Sequence, residues 1–155
     1  MKGNDKLIEK LNDRLADELT AINQYMVHAE MCDNWGYERL DKMVEKRAII
    51  EMKHAEKLIE RILFLDGIPI VSKLNQIKIG SEVEKQFKND VNLEYDAVKN
   101  YNDDIAFAGE VGDYGTKELL ESILKDEEGH IDEIEAQLDQ IKQMGIQTYL
   151  GEATH

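Results

Sequence analysis

Apolar residues recur at alternating spacings of three and four along four separate blocks of the chain. This spacing places them on one face of an α-helix, so it predicts four amphipathic helices, each burying one stripe. The predicted helices cover residues 4–34, 38–65, 81–111 and 113–144, and residues 146–150 form a short C-terminal helix. Glycines just beyond the helices mark their ends, and Ser81 with Glu84 matches a capping box at the third helix.

The connections between these helices predict how they are arranged. Short breaks at Gly36 and Gly112 make two antiparallel helical hairpins. Residues 66–80 join the hairpins and can extend to about 50 Å at roughly 3.3 Å per residue, which exceeds the length of the second helix, about 42 Å. The second and third helices can therefore run parallel. The prediction is an all-α four-helix bundle with one long crossover, and residues 1–155 form a single domain because neither hairpin alone covers its apolar stripe.

Each apolar stripe contains one glutamate near the middle of its helix. These glutamates are Glu18, Glu51, Glu94 and Glu127. Four carboxylates at one level of a bundle lose hydration and repel one another, so they need positive charge nearby. We expect no Lys or Arg in the stripes within a turn of them, but His54 and His130 follow the second and fourth glutamates by three residues, on the same helical face. Two divalent cations would balance the four carboxylates.

The spacing of these residues repeats between the two hairpins. Each hairpin supplies one lone glutamate and one Glu-x-x-His pair, and 33 residues separate the two glutamates in both. This ligand set is that of di-iron and di-manganese carboxylate bundles. Carboxylate-rich ligation favours iron or manganese over copper, and two iron ions are the favoured occupants. Protonated glutamates in a hydrogen-bonded core are the alternative.

Tyr25 lies two turns after Glu18 on the same stripe. Its hydroxyl can hydrogen-bond a ligating carboxylate or supply an electron during oxygen reduction. An ordinary core tyrosine is an equally good interpretation. His28 is expected to pack or hydrogen-bond at a helix surface rather than to bind metal.

The formal net charge of −14 excludes some partners. Nucleic acid and anionic membranes require clustered basic residues, so neither is expected, whereas cations are favoured. The single cysteine, Cys32, cannot form an internal disulfide, and the first residues lack the apolar run of a signal peptide. We therefore expect a cytoplasmic protein, and no membrane crossing, because no stretch approaches the roughly 18 apolar residues of a membrane span.

Four segments resemble signature stretches of the bacterioferritins, and the likeness covers nearly the whole chain. They are ELTAINQY at 18–25, EMKHA at 51–55, ERILFL at 60–65 and DEEGHID at 126–132. The resemblance implies a ferritin-like fold and a homo-oligomeric hollow shell, a 24-mer, that stores and detoxifies iron. It also implies a ferroxidase centre in each subunit, where dioxygen or peroxide oxidises ferrous iron. The implied metal ligands, which together with Tyr25 are the implied catalytic residues, are Glu18, Glu51, His54, Glu94, Glu127 and His130.

Met52 matches the axial methionine of that family, which implies haem b shared between two subunits at a two-fold interface. At about 100° per residue, Met52 points away from Glu51 and His54 and leaves the bundle interior. The resemblance also implies a ferredoxin as reductant. Residues similar to those lining the family's pores are Asn34, Asp66, Asp132 and Asp139.

The chain departs from many bacterioferritins at Lys46 and Ile50, where a His and an Asp form an inner-surface iron site. The transfer of iron or electrons between centre and cavity is therefore expected to differ. Two other functions fit the same bundle. A rubrerythrin-type peroxidase is the closer alternative, although the chain lacks the C-x-x-C pair of a rubredoxin-type site. A miniature-ferritin DNA protector fits less well, because its ligands normally lie between subunits and the negative charge disfavours DNA.

Overall fold

The computed structural model describes residues 1–155, and all of its regular structure is helical. The long helices are α1 (Asp5–Asn34), α2 (Glu38–Phe64), α3 (Val83–Glu110) and α4 (Tyr114–Met144). A short helix α5 (Ile146–Gly151) and a 3-10 turn (Glu152–Thr154) complete the chain. The all-α prediction is confirmed, with helix ends within two residues of those expected. None of these helices combines the length and the apolar character that a membrane crossing requires.

Local signals set several helix ends. The side chain of Asn4 accepts a hydrogen bond from the Leu7 N–H at 3.0 Å, and Asp113 caps α4 in the same way through the Thr116 N–H. These bonds satisfy backbone donors that have no partner within the first helical turn. Gly36 and Gly112 adopt φ values of +85° and +75°, a region that favours glycine, and so reverse the chain after α1 and α3.

The predicted capping box at Ser81 is wrong. α3 begins two residues later, at Val83, and its N-cap residue makes no side-chain hydrogen bond to the helix. Gly80 fixes this start instead, since its N–H donates to His28 Nε2 at 3.0 Å and its carbonyl accepts from the Gln86 amide at 3.2 Å. A Cβ at position 80 would lie 2.4 Å from the Gln86 backbone nitrogen. A long-range contact with α1 therefore overrides the local capping signal.

The crossover between α2 and α3 follows α1 along its length. At four points a crossover backbone N–H donates to a side chain of α1, over 2.8 to 3.1 Å. The pairs are Ile70 with Asn12, Asn75 with Thr20, Lys78 with Gln24, and Gly80 with His28. The segment thus runs in the direction of α1 while α2 and α3 both run against it. This makes α2 and α3 parallel, as predicted.

Apolar side chains fill the two ends of the bundle. One cluster includes Leu11, Leu58 and Leu120, and another, at the opposite end, includes Phe87 and Ile134. Each fully buried leucine or isoleucine stabilises the fold by roughly 1.5–3 kcal/mol. Tyr149 of α5 closes the second cluster, packing edge-on against Phe87 with ring centroids 6.3 Å apart. Between the two ends, every long helix buries one glutamate.

Candidate metal centre

The six side chains expected to bind metal converge in the layer between the apolar clusters. They form two overlapping groups whose potential ligand atoms lie within 4.8 Å of one another. The first group is Glu18, Glu51, His54 and Glu127, and the second is Glu51, Glu94, Glu127 and His130. Glu51 and Glu127 belong to both groups. The arrangement therefore suits two cations that share these two carboxylates, with one further glutamate and one histidine for each.

Each histidine reaches across to the shared glutamate of the other hairpin. His54 Nδ1 lies 3.0 Å from Glu127 Oε1, and His130 Nδ1 lies 2.8 Å from Glu51 Oε1. The two imidazole rings are tilted by 32° and their centroids are 6.5 Å apart. The equal spacing of Glu and Glu-x-x-His in both hairpins thus produces an approximately two-fold arrangement around the centre.

Every one of the six side chains carries a buried polar atom without a hydrogen-bond partner. These atoms are Glu18 Oε2, both Glu51 oxygens, His54 Nδ1, Glu94 Oε2, Glu127 Oε1 and His130 Nδ1. Even the most accessible of the six side chains, His130, is only 7% exposed. An unsatisfied buried polar group costs about 1–3 kcal/mol, and a charged one more. Six side chains with such atoms in one layer therefore lower the stability of the protein by itself, and a pair of cations would give these atoms partners.

Asp126 orients one of the two histidines. Its Oδ2 lies 2.8 Å from His54 Nε2 and accepts the proton of that nitrogen, so His54 Nδ1 faces the centre. Sequence reasoning missed Asp126. The sequence shows that Asp126 directly precedes Glu127, but its contact with His54 arises only because α4 packs against α2.

Two buried tyrosines hydrogen-bond the glutamates that are not shared. The Tyr25 hydroxyl donates to Glu94 Oε1, which confirms the predicted bond to a carboxylate of the centre. The Tyr101 hydroxyl donates to Glu18 Oε1 at 2.6 Å. Tyr101 lies on the apolar stripe of α3, and no contact with the centre was predicted for it. Its signal was the spacing, because it follows Glu94 by seven residues just as Tyr25 follows Glu18.

Comparisons with known proteins agree with this geometry. The family model described as a Ferritin-like domain matches residues 8–144. Bacterioferritin of Brucella melitensis biotype 1 is 43% identical over 149 residues, which cover 96% of this chain and 92% of that protein. Bacterioferritin of Rhodobacter capsulatus is 42% identical with the same coverage, and bacterioferritin BfrA of Mycobacterium tuberculosis H37Rv is 39% identical over 96% of this chain and 94% of its own. The chain belongs to the bacterioferritin family. This confirms the predicted resemblance, the ferritin-like fold and the function in iron storage.

The methionine that matches the haem ligand of bacterioferritins lies outside the centre. Met52 is on the outward face of α2 and is 47% exposed, so its predicted orientation is confirmed. It borders a groove of about 200 Å³ between α1 and α2, whose apolar surface includes Ile22, Met26 and Ile49. The groove offers a thioether and an apolar wall, which suit one half of a haem site.

A polar cleft of about 400 Å³ connects the surface to the centre. It lies between α1, α3 and the crossover, and it reaches Glu18, Glu51 and Glu127. Only three of its 17 lining residues are hydrophobic, and Asp17 and Asp96 are among the polar ones. The wall of the cleft beside the buried glutamates is therefore mainly polar.

The expectation that no Lys or Arg lies in the buried stripes within a turn of the glutamates is wrong for one residue. Arg47 lies one turn before Glu51 and is only 2% exposed. Its Nη2 donates to Glu133 Oε1 at 2.9 Å, its Nη1 is 3.8 Å from Asp90 Oδ2, and its guanidinium carbon lies 5.1 Å from the centroid of the Tyr25 ring. Asp90 and Glu133 are its direct ion-pair partners. The shortage of positive charge among the four glutamates therefore remains.

His28 is buried rather than placed at a helix surface, although its expected hydrogen bonding is confirmed. Its Nε2 accepts from the Gly80 N–H, so Nδ1 carries the proton and donates to Asp90 Oδ1 at 2.9 Å. The four residues that resemble pore linings, Asn34, Asp66, Asp132 and Asp139, are all exposed. Lys46 is exposed and Ile50 is half-buried.

Burial and crowding change the acidity of the centre. Burial, together with the charges of Glu18 and Glu94, raises the pKa of Glu51 well above its usual value. Burial, with repulsion from Glu18 and Glu51, does the same to the pKa of Glu127. For His54 burial acts to lower the pKa, but the nearby carboxylates of Glu127 and Glu18 outweigh it and raise the pKa to about 10. The metal-free centre therefore holds protons that cations must displace.

The pKa of Glu94 shifts the other way. Burial favours its neutral form, but its interactions with the adjacent Glu127 and His130 side chains outweigh that effect and lower the pKa of Glu94. The pKa values of neighbouring carboxyl groups are therefore shifted in opposite directions. Glu94 favours its ionised form, whereas Glu51 and Glu127 favour their protonated forms.

Replacing Glu51 with glutamine tests whether the metal-free centre holds protons. Because burial raises the pKa of Glu51, the folded state keeps a proton that the unfolded chain releases above about pH 4.3. This contribution to the free energy of unfolding is present below that pH and is lost as the pH rises through the folded-state pKa. Glutamine has no such proton to lose. We expect Glu51→Gln to stabilise the metal-free protein relative to wild type, by an amount that grows with pH.

Denaturant unfolding with a chelator present, at several values between about pH 5 and 9, measures this difference. Glu56→Gln on the same helix is the matched control, because Glu56 is exposed, and its difference from wild type should stay constant. A difference for Glu51→Gln that does not change with pH would contradict the expectation.

Proposed function

We propose that this iron-storage protein oxidises ferrous iron at the centre before the iron is stored. The observation that carries the proposal is the set of unpartnered buried atoms on all six converging side chains. Glu51 and Glu127 act as shared ligands, and Glu18 with His54 and Glu94 with His130 complete the two positions. The ligands are mainly carboxylate oxygens with one imidazole nitrogen per position, a set that suits iron or manganese.

Two adjacent positions suit the chemistry of ferrous oxidation. Peroxide needs two electrons to become water, and two ferrous ions held side by side supply one each while two protons are consumed. Dioxygen is the alternative oxidant. The polar cleft gives the substrate ions a route to the glutamates, and the negative charge of the shared carboxylates balances the positive charge that oxidation adds. Tyr25, bonded to Glu94, is close enough to act as a further electron donor.

We propose that the subunits assemble into a closed shell of 24 copies. Large apolar side chains are exposed at the end of α2 and along the crossover, for example Phe64, Ile68 and Val71, with Ile68 80% exposed. Exposed apolar patches of this kind mark contacts between proteins. A closed symmetric assembly would cover them and enclose a cavity for ferric mineral. The rubrerythrin-type peroxidase alternative needs no shell.

We propose that Met52 would hold haem b shared between two subunits. The groove beside it supplies apolar contacts from Ile22, Met26 and Ile49, and its exposed thioether is free to face a second copy of the chain. In a two-fold dimer the same groove meets itself, so each subunit would contribute one Met52. Bound haem supplies one-electron transfer. A ferredoxin in the cytoplasm is the proposed electron source for iron release.

Replacing Glu127 should abolish rapid iron oxidation. Glu127→Gln removes a carboxylate shared by both positions, so we expect the initial rate to fall at least about 100-fold. Stopped-flow absorbance of the ferric product after mixing with ferrous iron and dioxygen measures the rate. Glu128→Gln changes the exposed neighbour and should leave the rate unchanged. Equal rates in wild type and Glu127→Gln would rule out this centre as the oxidation site.

The size of the assembled protein separates storage from the peroxidase alternative. We expect a particle of about 430 kDa, 24 times the chain mass of 17.8 kDa, by light scattering at neutral pH and moderate salt. A shell of this size also protects apolar surface that a monomer would expose. A protein that never exceeds a dimer would contradict the shell.

The visible spectrum tests the haem ligand. Met52→Leu keeps the apolar volume but removes the sulfur ligand, so we expect the haem of the reconstituted protein to lose its methionine-ligated spectrum. Met26→Leu is the control, since Met26 lines the same groove without a proposed role as ligand. Identical spectra for wild type and Met52→Leu would show that another group holds the haem.

A further inference from the structure

The two tyrosine hydrogen bonds at the centre form a crossed pair. Tyr25 on α1 donates to Glu94 on α3, and Tyr101 on α3 donates to Glu18 on α1. In both helices the tyrosine follows its own glutamate by seven residues, two turns along the same face. Each helix therefore supplies a carboxylate to the centre and a hydroxyl that bonds the carboxylate of the other helix.

These bonds engage one oxygen of each carboxylate and leave the second for the centre. Both tyrosines donate to the Oε1 atom of their glutamate, and both Oε2 atoms are buried without a hydrogen-bond partner. Both tyrosines are fully buried, so water does not compete for the hydroxyls. A hydrogen bond to a charged group is stronger than one between neutral groups, so each hydroxyl holds its carboxylate in one orientation.

We propose that Tyr101 is a positioning residue for Glu18, as Tyr25 is for Glu94, and that each tyrosine sets the affinity of one metal position. This rests on the proposed two-metal centre. Glu51 and Glu127 are common to both positions, so they cannot distinguish them. Only Glu18 and His54 belong to the first position alone, and only Glu94 and His130 to the second. Removing the Tyr101 hydroxyl, which holds Glu18, therefore weakens metal binding at the first position and leaves binding at the second unchanged.

The phenylalanine variant separates this role from packing. The Tyr101 ring belongs to the apolar cluster that contains Leu11, Leu58 and Leu120, and Tyr101→Phe keeps that ring while removing only the hydroxyl. Tyr95→Phe is a matched control on the same helix. Tyr95 is exposed, and its hydroxyl donates to Glu135 on α4, away from the centre.

The experiment titrates the metal-free, assembled protein with cobaltous ion alone and follows its visible absorption. Wild type should bind two ions per chain. Tyr101→Phe should weaken one of the two by about tenfold to a hundredfold, the usual effect of losing a partner of a metal ligand, and Tyr95→Phe should match wild type. Tyr25→Phe should weaken one position by a similar factor.

A double-mutant cycle assigns the position. In a Glu94→Ala background, which leaves the Glu18 position, Tyr101→Phe should still weaken cobalt binding, whereas in a Glu18→Ala background it should have almost no effect. Equal effects in both backgrounds, or a Tyr101→Phe titration identical to wild type, would overturn the inference. If wild type binds fewer than two cobaltous ions, the two-metal centre itself fails. Two bound ions with an unaffected Tyr101→Phe variant would refute only the positioning role.

Discussion

Burial of four carboxylates at one level of the bundle is the constraint on which the rest of this structure depends. The glutamates occupy positions where each helix would otherwise bury an apolar side chain, and they divide the core into apolar ends and a polar layer. Their unpartnered oxygens, together with two imidazole nitrogens, are costly unless cations bind. These unsatisfied atoms destabilise the protein by itself, and the two cations proposed above would remove that cost.

The two helical hairpins repeat the same spacing of glutamate and Glu-x-x-His, and this repeat organises the surroundings of the centre. Each hairpin contributes the same spaced set of candidate ligands. The contacts run between the hairpins, from each histidine to a shared glutamate and from each tyrosine to a glutamate that is not shared. Buried positive charge is kept nearby but paired elsewhere, as Arg47 is with Asp90 and Glu133. The centre thus combines carboxylates held by hydroxyls with a deficit of positive charge that metal can supply.

The crossover contributes to both fold and function. Its backbone is hydrogen-bonded to α1 at regular intervals, which sets the parallel direction of α2 and α3. The same segment supplies part of the polar wall of the cleft that leads to the glutamates, including Asn75 and Lys78. A connection that the fold needs for its topology therefore also lines the cleft beside the candidate metal centre.

Local patterns in the sequence were enough to predict the helices, the crossover and the six side chains that converge. Helical periodicity acts over a few residues, so it reveals the stripes and the glutamates within them. The partners of these side chains, in contrast, follow from how the helices pack. Asp126 meets His54, Tyr101 meets Glu18 and Arg47 meets Glu133 across 72 to 86 residues of chain, and Gly80 replaces Ser81 in setting the start of α3. Such contacts depend on which helix faces lie against each other, and a pattern within a few residues of the sequence does not predict how distant helices pack.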